Sequence, residues 1–307
     1  MNDLYIKYNR FYIQHLFLDE SFFIGDRMSK TIYQMIKDME DRIFSLIYPK
    51  RCPICDKILN PEEQEIHSSC KKNIYYVSNP SCMRCGRPVE NASYELCYPC
   101  HSDKDFIQTY SNQKHNSQER FVPSFSYIRQ NQYRRKQQEE LDFHGKAVFL
   151  YKGSIKISLY RFKYSNKREY AKFFAKEAVR LYGMWIRQNG IELIVPIPMH
   201  KKKQRKRGYN QAESFARELS ILTRIPIDTH LLERIKDTIP QKNLNKQERK
   251  NNLKNAFQTT KSIVQYTQRI LIVDDIYTTG STMQAVTACL KEAGAEKIFI
   301  LSIAIGT

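Results

Sequence analysis

Ile270-Leu271-Ile272-Val273-Asp274-Asp275-Ile276-Tyr277-Thr278-Thr279-Gly280-Ser281-Thr282 is the stretch around which the chain is organised. Four apolar residues, two adjacent acids and a small hydroxylated loop ahead of an amphipathic run read as a buried parallel strand, a ligand loop and a helix start. Asp274 and Asp275, at the carboxyl end of the strand, suit hydrogen bonds from a vicinal ribose diol or a hydrated Mg²⁺. Thr278, Thr279, Gly280, Ser281 and Thr282 offer hydroxyls and backbone N–H groups at a helix N-terminus, where the dipole favours an anion. A diol and a phosphate separated by a sugar ring describe a ribose 5-phosphate. The apolar run and the acid pair, taken without the loop, fit equally a nucleotidase, a receiver-domain pocket or a β-α turn with no ligand.

The complete string resembles the signature of the type I phosphoribosyltransferase fold, the loop that binds phosphoribosyl pyrophosphate. That resemblance implies an α/β domain on a parallel sheet.

Length and charge narrow the setting. A chain of 307 residues predicts about two domains and a substantial core. The apolar run from Phe11 to Leu18 ends at Asp19 and Glu20 and is too short to span a bilayer, so no membrane insertion is expected. The first residues carry Asp3 and no small-residue cleavage site, so a cytoplasmic protein is expected. The formal charge of +18 bears on partners rather than fold and points to polyanions. Thiolates of two zinc sites would lower it to about +15, which leaves the conclusion intact.

Residues 1–51 form an N-terminal extension in which Ile32, Met35, Ile36, Met39, Ile43 and Leu46 predict a helix over Thr31–Ile47. Met28 is a second candidate start. Seven of the eight cysteines then fall between 52 and 100 and repeat. Cys52, Cys55, His67 and Cys70 recur thirty residues later as Cys82, Cys85, Cys97 and Cys100, with the same eleven-residue insert. Each half is a pair of knuckles, C-x2-C then H/C-x2-C, the spacing with which two turns present four ligands tetrahedrally to Zn²⁺. His67 enters through its register with Cys97. The spacing leaves sequential and interleaved pairing open; disulfides are disfavoured in a cytosolic compartment. His101 is a bystander and Cys289 a packed residue.

Residues 101–146 turn to Gln, Asn, Ser and Lys and read as a polar linker with a charged helix. The α/β rhythm starts at Ala147 and defines a domain over 147–307. Ala147–Tyr151 and Ser154–Leu159 suit an entry strand or short helix, and Glu169–Ile186 a long helix with Phe173, Phe174, Ala178, Leu181, Met184 and Trp185 on its buried stripe. Ile191–Ile197 and Ile227–Ile235 read as strands. After the first of these, six of the seven residues from Lys201 to Arg207 are cationic, where parallel sheets bind ligands. Lys201, Arg205 and Arg207, followed by Gly208, Asn210 and Gln211, are the candidates for pyrophosphate or nucleic-acid phosphate contacts, with Asn210 also suited to cap the next helix. Arg234–Asn255, rich in cations and amides, reads as a mobile loop then a helix, a lid in the functional reading. A helix from Met283 to Ala293, stopped by Gly294, and a strand over Lys297–Ile303 complete the domain.

The double zinc ribbon, Phe162-Lys163-Tyr164, Val195-Pro196-Ile197-Pro198, Arg207-Gly208-Tyr209-Asn210-Gln211, the spaced Arg234, Lys236, Thr238, Gln241, Leu244, Arg249, Asn252, Ala256 and Phe257, and Asp274 to Thr282 together resemble the ComF competence family. The resemblance covers 52–100 and 145–307; residues 1–51 and 101–144 exceed the family pattern. It implies a phosphoribosyltransferase-like domain that handles incoming single-stranded DNA during natural transformation, in the cytoplasm, beside a helicase partner. Two structural zinc ions and Mg²⁺ with phosphoribosyl pyrophosphate are the expected cofactors. Three functions are consistent with these residues: a DNA-handling factor that binds the sugar diphosphate; an active phosphoribosyltransferase, with Asp274 and Asp275 on the ribose and Asp275 assisting proton transfer; and a zinc-ribbon adaptor with a vestigial pocket. The chain's end just after its last strand, where related enzymes recognise a nucleobase, weighs against the second.

Overall fold

The computed structural model describes residues 35, 36, 39, 49–60, 62, 63, 65–101, 143–235, 256–260 and 269–306. Met35, Ile36 and Met39 are helical, within the predicted helix; the rest of that helix, residues 102–142 of the linker expected over 101–146 and residues 236–255 of the lid expected over 234–255 lie outside the described residues, while His144, Gly145 and Lys146, expected in the linker, already belong to the first strand. Two units divide the chain. The first takes 1–51 and 58–60, where Arg51 and Ile58 form an antiparallel bridge and the Leu59 amide donates to Lys50. The second takes 52–57 and 61–307 and holds both cysteine clusters and the sheet.

The duplication read from the cysteines is a duplication of backbone. In each copy the first ligand's amide donates to the carbonyl five residues on, Cys52 to Lys57 and Cys82 to Arg87. The turn after the second ligand closes back on the first, Asp56 on Cys52 and Gly86 on Cys82. Both turn residues are left-handed, with φ of 66° and 76°. The last ligand of each copy rides on a single helical turn, α1 (Ser68–Lys71) or α2 (Tyr98–His101).

After the cysteine modules come β1 (His144–Leu150), α3 (Gly153–Tyr164), α4 (Tyr170–Gln188), β2 (Leu193–Pro196), α5 (Lys201–Arg207) and α6 (Gln211–Thr223). The chain ends with β3 (Leu232–Arg234), β4 (Phe257–Thr259), β5 (Arg269–Tyr277), α7 (Ser281–Glu292) and β6 (Lys297–Ile305). Strands β1, β6, β5 and β2 form a parallel sheet in that order. Ile270, Leu271, Ile272 and Val273 of β5 are fully buried, as an interior strand covered on both faces requires. Ile270 and Ile272 share a core cluster with Met283, Val286 and Leu290 of α7 and with Cys82, Cys85, Cys97 and Cys100. Helix α6 packs on β5 and on α4, which also packs on β1. Among the described residues, no helix is long and apolar enough to cross a membrane.

Three elements differ from the sequence-based expectation. Strand β5 does not stop before the acids: its ladder continues through Asp274 opposite Ser302 to Tyr277 opposite Ile305, because β6 is long enough to pair with it. The expected strand over 227–235 is broken. Ile227 bridges Ile194, the Asp228 carboxylate then accepts from the amides of His230 and Leu231 at 2.8 and 2.9 Å, and this Asx turn delivers the chain to the β3–β4 hairpin. On α4 the buried stripe runs Tyr170, Phe174, Ala178 and Ile186, with the Tyr182 hydroxyl donating to Ala147 at 2.8 Å. Leu181 and Met184 face solvent, Met184 at 67% exposure, and Trp185 packs edge-on to Phe299 instead of filling the core.

The second cysteine module is stitched to β1. The Gly145 amide donates to the Met83 carbonyl at 3.0 Å, and the segment at Tyr75–Val77 pairs antiparallel with β1 through Leu150 and Val148. At Gly86 a Cβ would stand 2.8 Å from the Lys146 backbone, and at Gly145 it would run into the Arg84 carbonyl. Backbone meets backbone there with no room for a methyl group. Gly145→Ala is therefore expected to cost about 2 kcal/mol or more in urea unfolding, against less than about 0.5 kcal/mol for an exposed control such as Ser165→Ala.

Candidate functional site

The pocket is built at the carboxyl end of β5. Asp274 turns its Oδ1 to accept from the Asp275 amide at 2.8 Å, and the Asp275 Oδ2 lies 2.9 Å from the Lys163 Nζ. Two adjacent carboxylates at the end of a buried strand repel each other, and the inward lysine of α3 neutralises one of them. Burial, and then the charge of Asp275, push the Asp274 carboxyl up to about 7, with Lys163 and Arg234 opposing only in part. Thr278 and Thr279 follow on an exposed loop, and Gly280 caps α7 with φ of 80°. A Cβ on Gly280 would run into the Tyr277 hydroxyl, so position and conformation both demand glycine. The Thr279 and Ser281 hydroxyls are 3.2 Å apart at the first turn of α7. The structure thus brings Asp274, Asp275 and the Thr278–Thr282 loop together at one strand end, as the sequence suggested.

The basic segment is a short helix, α5, capped by the His200 ring at one end and left-handed Gly208 at the other. Lys201 and Arg205 are exposed, and Lys201 pairs with Glu233 at 3.0 Å. The last residue of α5 and those that follow it have a role that their sequence position did not suggest. Arg207 donates to the Tyr164 hydroxyl, Tyr209 to the Phe162 carbonyl, and Gln211 to the Lys163 carbonyl. Alternate residues of one motif thereby grip three consecutive residues at the end of α3. Asn210 caps α6 through Ala212 and donates to the Ile197 carbonyl, tying in the end of β2. Asn210 and Gln211 are buried with their amides engaged inside the protein, which places them behind the site, holding Lys163; Lys201 and Arg205 are exposed, and half-buried Arg207 is held by Gln211 and Tyr164.

Lys163 is the functional candidate that the site assignment from sequence passed over. A signal was present: Ile155, Leu159 and Lys163 are four apart on α3, so a cation extends the buried stripe. Ionisation of Asp274 is opposed in the folded chain alone, so its contribution to stability is full below the ordinary carboxylate range and is lost as pH rises through about 7. Asp274→Asn is expected to raise stability at pH 8 by about 1–3 kcal/mol and to leave it unchanged at pH 4, measured by thermal or denaturant unfolding.

The two cysteine clusters close sequentially, not interleaved. Cys52, Cys55, His67 and Cys70 form one set and Cys82, Cys85, Cys97 and Cys100 the other, with the ligand atoms of each set within 4.8 Å of one another. Cys55 Sγ and His67 Nδ1 are 3.3 Å apart, and the Cys85 and Cys97 sulfurs 3.5 Å, close to the spacing of about 3.8 Å that tetrahedral zinc–sulfur bonds impose. Glu63 faces the other nitrogen of His67 at 3.6 Å and accepts from the Ser68 amide, leaving Nδ1 for the metal. In the second set Cys82 is held far below the ordinary thiol range by its contact with Cys100, and Cys100 is pushed far above it by the same contact. Thiols so packed share protons until a cation replaces them, and both sets fit structural zinc. His101 lies exposed beside the second set, and Cys289 packs against the core. Zinc content measured by emission spectroscopy is expected at two per chain and at one in Cys82→Ser; two in the variant would remove Cys82 from the ligand set.

Two family models match this chain in the order of its zinc modules and its sheet domain. Residues 43–101 match the double zinc ribbon domain, and residues 206–305 the phosphoribosyl transferase domain. Competence protein F of Haemophilus influenzae is 28% identical over 76% of this chain and 94% of its own length. Competence protein ComFC of Bacillus subtilis is 24% identical over 77% of this chain and 82% of its own length. DNA utilization protein YhgH of Salmonella typhimurium is 28% identical over 50% of this chain and 67% of its own. A purine phosphoribosyltransferase from Pyrococcus horikoshii aligns in structure at 20% identity over 43% of this chain and 74% of that one, with a TM-score of 0.28.

Proposed function

The chain belongs to the ComF family, and from that premise we propose that it is a competence-type protein that handles internalised single-stranded DNA and binds phosphoribosyl pyrophosphate with Mg²⁺ at Asp274–Thr282. The observation that carries the pocket is the Asp274/Asp275 pair beside the Thr278–Ser281 turn: carboxylates for a diol and its Mg²⁺, then hydroxyls and helix-end amides for a phosphate. Lys163, now paired with Asp275, lies where an incoming anion and its metal would take over that neutralisation. The exposed cations of α5, at the end of β2 in the same sheet, suit the pyrophosphate or the phosphates of a nucleic acid. Relatives named competence and DNA utilization proteins support the DNA reading; the family resemblance adds to this proposal a cytoplasmic site of action beside a helicase.

One observation favours a second reading, an active phosphoribosyltransferase. Asp274, raised to about 7, is poised to take up a proton near neutral pH. In that reading the proton acceptor is Asp274, whereas Asp275, tied to Lys163, holds the ribose.

Calorimetric titration with phosphoribosyl pyrophosphate and Mg²⁺ tests the pocket. Binding is expected in the native chain and loss of at least about a hundredfold in affinity in Asp274→Ala/Asp275→Ala, as two charge-assisted contacts each contribute about 1.5–3 kcal/mol. Equal binding by both proteins would overturn the site. Affinity for single-stranded DNA is expected to fall steeply with salt and with neutralisation of Lys201, Arg205 and Arg207; a salt-insensitive affinity would remove α5 from the contact.

A further inference from the structure

The two zinc modules are copies, yet they dock on different parts of the sheet domain. The first meets the helices. Its Ile54 carbonyl accepts from Arg161 at 3.2 Å, Asp56 accepts from the Tyr170 hydroxyl and pairs with Lys167, and Glu65 pairs with Lys176. These contacts brace the end of α3 and the start of α4. The second module meets the ligand loop. Its Arg87 donates from Nη2 to the Thr278 carbonyl at 3.4 Å, and Tyr277 is buried in one cluster with Cys82, Cys85, Cys97 and Cys100.

Arg87 is also part of the metal knuckle. Its own carbonyl accepts from the amide of the ligand Cys82 at 2.7 Å, so whatever fixes Cys82 fixes the backbone from which the guanidinium reaches Thr278. The consequence at the loop is set by peptide geometry. Carbonyl and N–H of a trans peptide point in opposite directions, so holding the Thr278 carbonyl toward Arg87 aims the Thr279 N–H away from the zinc module. A cation on the carbonyl also polarises the peptide and strengthens that N–H as a donor. The first module's polar contacts given above run instead to α3 and α4.

We propose that the Cys82/Cys85/Cys97/Cys100 zinc site and the Asp274–Thr282 pocket stabilise each other through Arg87, a positioning residue for the ligand loop, while the Cys52/Cys55/His67/Cys70 site is indifferent to the pocket. The proposal rests on phosphoribosyl pyrophosphate binding at that pocket. Coupling of two sites is reciprocal: the zinc that orders the loop for the anion is itself held more tightly when the anion is bound. The repeat has thus diverged in use, one copy bracing helices and the other a binding loop. Glycine at 86, where the first copy has Asp56, lets the second copy lie flat on β1 and reach that loop.

The test is equilibrium competition for zinc by a chromogenic chelator, with and without phosphoribosyl pyrophosphate and Mg²⁺, with calorimetry of the same samples. One of the two zinc ions is expected to need about fivefold or more chelator when the ligand is bound, and the other to be unmoved. Arg87→Ala should keep both zinc ions but lose the shift, and Arg87→Lys should restore part of it. The shift should also vanish in Asp274→Ala/Asp275→Ala, which controls for direct chelation by the diphosphate. Ligand binding with neither zinc shifted, or a shift that survives in Arg87→Ala or in the double variant, overturns the coupling and leaves the pocket standing. Absence of binding in calorimetry overturns the pocket and the coupling with it.

Discussion

Two carboxylates on consecutive residues at the end of a buried strand are the constraint from which the rest of the domain follows. Left alone they would repel at close range in a poorly solvated place, and one would stay protonated. The structure meets this with Lys163 at 2.9 Å from Asp275, and leaves Asp274 raised to about 7. Lys163 must be held in turn, and the Arg207-to-Gln211 motif does so, gripping Phe162, Lys163 and Tyr164 from one side while Asn210 ties the motif to β2. The loop beyond the acids has its own support, the Arg87 guanidinium of the second zinc module, which donates to the Thr278 carbonyl. Adjacent carboxylates and the loop beyond them are thus held by α3, by the 207–211 motif and by Arg87.

The zinc ribbons are part of this arrangement rather than an appendage. The second module has its four sulfurs inside the same apolar cluster as β5 and α7, and Gly86 and Gly145 let its backbone lie directly on β1. Burying cysteines as deeply as this leaves their protons to be shared among neighbours, an arrangement that a divalent cation relieves. A zinc ion on these four sulfurs would sit inside the core cluster, so its binding would be linked to the folding of the domain. At the first module the ligands are less deeply buried and its contacts are ion pairs and hydrogen bonds to α3 and α4.

What the sequence disclosed depended on how local the signal was. Cysteine spacing, the apolar run at 270–273 and the small-residue loop at 278–282 are local, and each became the element expected of it. Lys163 stood out as a cation extending the buried stripe of α3, but its role depends on a partner more than a hundred residues away, which no local pattern names. Asn210 and Gln211 looked like ligand contacts because polar residues after a strand end usually face solvent; the carbonyls that bury them lie on α3 and β2. The broken strand at 227–235 turned on one side chain, Asp228, capturing two amides. On α4 Leu181 shares a helical face with Phe174 and Met184 with Phe173, yet both are exposed while Ile186 is buried, so the helical period alone does not tell them apart.

The most direct measurement of the central claim is a crystal structure of the protein with phosphoribosyl pyrophosphate and Mg²⁺. The account predicts ribose hydroxyls and metal at Asp274 and Asp275, the 5-phosphate within Thr278–Thr282, and the Lys163–Asp275 pair opened or shared with the ligand. A ligand bound elsewhere, or a pocket that keeps that ion pair with no sugar beside the acids, would contradict it.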